Sequence, residues 1–100
     1  MTPEAEGYRD RLRAMLPELG ERFGVSALGL FGSRVRGDHR PDSDLDVLVE
    51  FRPDARIGLF GLVDLEDLLS ERLGVKVDLV EKVAIKPRLR PYILSEAQTV

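Results

Sequence analysis

Short β-rich runs alternate with long helix-periodic segments along this chain, and that alternation limits its fold more than any other feature. Residues 25–31 (VSALGLF), 45–51 (LDVLVEF) and 75–80 (VKVDLV) are apolar or alternating, and Gly, Pro or Asp punctuates them. Tyr8, Leu12, Met15, Leu16, Leu19 and Phe23 recur at three- and four-residue spacing, as do Leu59, Leu62, Val63, Leu65, Leu69 and Leu73. Each stripe has to be buried against another element, and the β runs supply the surface. The order helix, strand, loop, strand, helix, strand, helix therefore predicts an α/β fold, with helices packed on a small β-sheet. It forms one domain over residues 1–100.

Thr2, Pro3, Glu4 and Glu6 suit a helix start, and Gly24 and Gly74 suit helix stops. Pro17 cannot donate to residue 13, so a kink or break is expected there. Residues 86–97 make a last helix whose regularity Pro87 and Pro91 limit. A chain of 100 residues buries roughly 65% of its unfolded surface, enough for one core. With 43% hydrophobic and 33% charged residues it lies outside the disordered regime.

Composition also excludes chemistries. The chain has no cysteine and one histidine, which removes disulfide scaffolds, thiolate metal sites, cysteine nucleophiles and multi-histidine centres. A net charge of −3 argues against strong nucleic-acid binding by this chain alone. The longest uncharged run, residues 23–33, is too short for a membrane span of about 20 residues. No secretory pattern opens the chain, so the expected location is cytoplasmic.

What is unusual lies in residues 32–46. Gly32 and Ser33 follow an apolar run directly, where glycine admits a close backbone approach and successive N–H groups can cradle an anion. Arg34, Arg36 and Arg40 add permanent cations suited to phosphate. Asp44 and Asp46 are two apart on a strand and share a face. Such a pair about 5 Å apart repels by roughly 3 kcal/mol at an effective dielectric of 20, which a hard divalent cation cancels. Asp78 interrupts the third β run and can face the pair if the second and third strands are neighbours. Three rival motifs fail. A P-loop would need Lys and Ser or Thr where Asp38 and His39 stand. A calcium loop would need Gly at Val47 and Glu at Pro53, and a phosphatase would carry its acids at the strand's end.

Gly32-Ser33, ten residues, then Asp44-Leu45-Asp46-Val47 resembles the Gly-Ser…Asp-x-Asp signature of the DNA polymerase beta-like nucleotidyltransferase superfamily. GSRVRG, RPDSDLDVLVEF, VKVDLV and KPRLRPYIL resemble its minimal nucleotidyltransferase branch, the MntA-like antitoxins of HEPN/MNT toxin–antitoxin systems, over about residues 10–97. The resemblance implies a mixed sheet with packed helices, two magnesium ions, and ATP as substrate. It implies that Asp44 and Asp46 hold both ions, while Asp78 ligates one and helps activate the incoming hydroxyl. Gly32 and Ser33 would hold the triphosphate, with Arg34 and Arg36 as lesser contacts. A HEPN RNase toxin would be the partner, receiving AMP on a tyrosine.

Two further readings stay open: neutralisation of the toxin by binding alone, and transfer to a small molecule or an RNA end. His39 reads as a solvated loop residue, and Tyr8 and Tyr92 as core or rim. Lys82, Lys86, Arg88 and Arg90 read as a solvated basic face. Phe60 falls off its helical stripe and is a candidate interface anchor.

Overall fold

Thr2 starts the first helix. Its backbone is extended, its hydroxyl accepts from the Ala5 N–H at 3.1 Å, and Pro3 follows where no N–H is needed. In this computed structural model, which describes residues 1–100, α1 (Pro3–Phe23) runs unbroken through Pro17. The expected break does not occur. Pro17 and Arg13, whose carbonyl loses its partner, both lie on the exposed side, while buried Leu12 and Leu19 anchor the helix on either side. Proline inside a helix still costs about 3 kcal/mol relative to alanine. Pro17→Ala is therefore expected to raise Tm by roughly 10 °C in a thermal melt, allowing for strain already relieved locally.

Gly24 ends α1 at φ +77°, its N–H donating to the Gly20 carbonyl. There follow β1 (Val25–Phe31), the short α2 (Ser33–Arg36), β2 (Leu45–Phe51), α3 (Leu59–Leu73) and β3 (Val77–Glu81). A 3-10 turn at Lys82–Ala84, α4 (Arg90–Glu96) and β4 (Gln98–Thr99) complete the chain. The third strand begins at Val77, later than its sequence pattern suggests, and the last helix is only α4. The sheet order is β3-β2-β1-β4, with β2 antiparallel to β1 and parallel to β3. β4 was not expected; its two residues pair antiparallel with Gly29 and Leu30.

Alternation along the strands makes two unequal layers. Leu28 and Leu30 of β1, Leu45, Val47 and Val49 of β2, and Val77 of β3 face α1 and α3 in a core of 14 buried residues. The other face buries only Phe31, Leu48 and Ile85, with Ile93 and Ala97 packed against them. That thin covering leaves room for polar groups on the second face. The buried side of α3 centres on Leu65, Leu69 and Leu73. Leu59 and Val63 lie roughly 80° and 120° round the helix from Leu69, so they are exposed rather than part of the stripe. Phe60 is 84% exposed, as its position implies. No helix is long and apolar enough to cross a membrane.

Candidate active site

The alternation that buries Leu45 and Val47 completely turns Asp46 toward the thin face. Pairing across the parallel β2–β3 ladder sets Asp46 opposite Asp78, so the second and third strands are neighbours as the third acid requires. Half-burial pushes the Asp46 carboxyl up to about 6; the charge of Asp78, the charge of Asp44, a hydrogen bond with Asp78 and the charge of Glu96 act in the same direction. Asp78 is exposed and Asp44 half-buried. No three acids stand close enough to form a ready metal cage. The structure thus brings Asp46 and Asp78 together and leaves Asp44 within electrostatic range.

Beside the pair, β1 ends in Gly32 at φ +86° and ψ −166°, a backbone region essentially reserved for glycine. A Cβ on Gly32 would lie 1.9 Å from Asp46 Oδ2, so the turn presses directly on the carboxylate. The Gly32 carbonyl accepts from the Val35 and Arg36 N–H groups at 3.1 Å each, which starts α2 with Ser33 half-buried at its head.

The arginines separate by role. Arg34 is buried; its Nε donates to the Ser43 carbonyl at 2.9 Å, Nη2 to the Pro41 carbonyl at 3.2 Å, and Nη1 pairs with Glu4 at 2.6 Å. With these three bonds, Arg34 holds the loop that delivers Asp44. The Thr2 hydroxyl donates to the Arg34 carbonyl at 3.1 Å, tying the same loop to the start of α1. Arg34→Ala strands two carbonyls and is expected to cost about 3 kcal/mol in chemical denaturation. Arg34→Lys is expected to restore little, because one ammonium cannot span the planar fork. Arg36 is exposed, donating to Asp38 at 3.3 Å and to Glu96. The Arg40 side chain is exposed, and its N–H donates to the Ser43 hydroxyl at 2.9 Å. His39 is not solvated: its side chain is only 24% exposed, lies 3.9 Å from Glu4, and buries Nδ1 without a partner.

Glu96 is the site residue that sequence reasoning missed. Its Oε2 accepts from the Gly32 N–H at 3.0 Å and its Oε1 from Arg36, across 64 and 60 positions of chain. No local pattern signals a contact so distant. No cavity is lined by Asp44, Asp46 or Asp78. The largest cavity, about 480 Å³ around Arg22, Arg52 and Gly58, is at the other end of β2 and away from this chemistry.

Comparison with known proteins places this geometry. Residues 12–100 match the nucleotidyltransferase domain family. A protein adenylyltransferase, MntA of Thermococcus cleftensis, is 44% identical over 85 residues, spanning 85% of this chain and 84% of its own. A solved minimal nucleotidyltransferase superposes with a TM-score of 0.75 at 40% identity, covering 95% of this chain and 94% of that one. The fold also matches a chain in the complex of a tri-AMPylated Shewanella oneidensis HEPN toxin with MNT antitoxin, with a TM-score of 0.67 at 17% identity, over 94% and 69% of the two chains. A family match over most of the chain, a relative of this identity and a superposition over nearly the whole length agree: the chain belongs to the nucleotidyltransferase family, in its minimal form.

Proposed function

We propose that this nucleotidyltransferase is an antitoxin that transfers AMP from ATP to a tyrosine of a cognate HEPN toxin, with magnesium. The observation that carries the reading is the Asp46–Asp78 pair facing the Gly32 turn. Relatives named for protein adenylylation, and the AMPylated HEPN complex of the same fold, support the acceptor class.

Burial first, then the charges of Asp78 and Asp44, hold Asp46 up; hard carboxylate oxygens under that pressure fit a divalent cation, and Asp44, Asp46 and Asp78 are the residues that would hold it. Bound there, magnesium would neutralise charge on the transferring phosphoryl group and on the leaving group. The Gly32–Ser33 turn orients the triphosphate with the α-phosphate over the acids. The acceptor hydroxyl oxygen forms a bond to the α-phosphorus as the bond to the β-phosphate oxygen breaks, and pyrophosphate leaves. Asp78, the more exposed acid, takes the hydroxyl proton.

The test is incubation with labelled ATP, magnesium and the co-expressed HEPN toxin, followed by mass spectrometry. AMP on a toxin tyrosine is the expected result, and chelation by EDTA is expected to abolish it. ATP turnover with an unlabelled toxin would move the acceptor to a small molecule or RNA end. No turnover in the complex would leave a protein that acts by binding alone.

A further inference from the structure

Glu96 lies on α4, far from the motif that identifies the family, yet both its oxygens are spent on the nucleotide turn. One accepts the Gly32 N–H at 3.0 Å and the other the Arg36 guanidinium. The Glu96 side chain is 24% exposed and that of Arg36 50%, so the pair itself adds little stability and its weight lies in fixing where the two groups stand. Asp38 takes a second edge of the same guanidinium at 3.3 Å. Two carboxylates thus brace Arg36 from two sides beside the turn, and its Nη2 is left with no hydrogen-bond partner in the protein.

We infer that Glu96 is a positioning residue for nucleotidyl transfer, a clamp by which the C-terminal helix fixes the Gly32 turn and aims Arg36 at the nucleotide phosphates. The inference rests on the functional reading above and adds a residue to it. Gly32 occupies a backbone region that few residues adopt, and such a conformation persists only when its surroundings determine it. Glu96 supplies that determination at the Gly32 N–H, while Asp46 approaches the same residue at its α-carbon. Its continuation into Ala97 and β4, which pairs with Gly29 and Leu30, ties the clamp to the same strand that ends in the turn. Arranging the turn before ATP arrives lowers the ordering cost of binding, so the expected signature lies in affinity more than in the chemical step.

The test compares wild type, Glu96→Ala, Glu96→Gln, Arg36→Ala and the Glu96→Ala/Arg36→Ala double variant, each purified with its HEPN toxin. Steady-state kinetics in ATP and magnesium are read alongside Gly32 amide exchange. Glu96→Ala is expected to raise KM for ATP about tenfold with kcat within threefold, and to speed Gly32 exchange tenfold or more while the β1–β2 ladder stays protected. Glu96→Gln keeps the shape and an acceptor for the Gly32 N–H but loses the ion pair, so an intermediate KM is expected even if the alanine variant folds poorly. The double variant is expected to have a KM above that of Arg36→Ala alone, because the Gly32 bond is lost as well, but below the product of the two single effects. An unchanged KM in both Glu96 variants overturns the positioning role, and a lowered KM overturns it in favour of a carboxylate that competes with phosphate. A wild type that transfers no nucleotide sinks the functional reading and this one with it, whereas an active, Glu96-insensitive enzyme sinks this one alone.

Discussion

Asparagine in place of Asp46 is expected to cut nucleotidyl transfer sharply and, in the metal-free protein, to raise stability at neutral pH. The first half follows from the place of Asp46: it stands between Asp78 across the ladder and the Gly32 turn, so it is the acid nearest every other part of the site. Removing its charge is expected to lower the transfer rate by about three orders of magnitude, equivalent to roughly 4 kcal/mol of transition-state stabilisation. The second half follows from its raised pKa of about 6. A carboxyl that is harder to ionise in the folded state than in the unfolded chain favours folding below its unfolded value near 4. That contribution is lost as pH rises through about 6. Because the group is half exposed, the loss is discounted to about 1 kcal/mol, or roughly 5 °C in Tm. Melts in EDTA are therefore expected to show Asp46→Asn above wild type by about that margin at pH 7.5, the gap closing toward pH 4. An asparagine variant that melts lower at pH 7.5 would mean that the ionised pair is not under strain.

This opposition between rate and stability separates a working site from a decorative acid cluster. Surface carboxylates with no task are held apart or paired with bases, as Glu18 is with Arg22 and Arg72, whose hydrogen bonding and charge lower its pKa. Asp46 has no such base against it and is pressed by Asp78, Asp44 and Glu96 together. A cation or a nucleotide–cation complex bound there would relieve that crowding and stabilise the fold by the same interaction.

Elements whose signal is local were legible before any coordinates. β1 and β2 fall on their sequence patterns, because apolar runs bounded by glycine and proline carry their own boundaries. The Gly32–Ser33 turn and the Asp44 and Asp46 spacing were readable for the same reason. What escaped depends on partners distant in sequence. β4 is two residues with no pattern of its own, made a strand only by the free edge of β1. Leu59 and Val63 have the spacing of a core stripe, but the helix presents Leu69 at the centre of its buried side, a rotation fixed by packing. Arg34 and Arg36 look alike in sequence, and only the carbonyls of Pro41 and Ser43 show that the first is a brace for the loop. Pro17 is tolerated because its exposed face asks nothing of the missing bond.

Alanine at Gly32 is expected to be as damaging to transfer as the loss of Asp46, and to destabilise the fold as well. Two costs combine. The backbone at φ +86° and ψ −166° admits a side chain only with strain of about 1–3 kcal/mol. The added Cβ would also sit 1.9 Å from Asp46 Oδ2, 2.9 Å from its Cγ and 3.2 Å from its Cβ, so the carboxylate has to leave its position or the turn has to open. Opening the turn breaks the 3.0 Å bond from the Gly32 N–H to Glu96 and the two bonds that start α2 from the Gly32 carbonyl. The expected sum is about 3 kcal/mol of lost stability, a fall in Tm of some 12 °C or more, with transfer reduced at least a thousandfold. Gly74→Ala measures the milder cost of a left-handed backbone without any close approach: Gly74 has φ +69° and ψ 24°, and nothing lies within 4 Å of its added Cβ. That control is expected to lose only about 1 kcal/mol and to keep full activity. A Gly32→Ala protein as stable and active as the Gly74→Ala control would show that the close approach of turn to carboxylate is not what holds the site together.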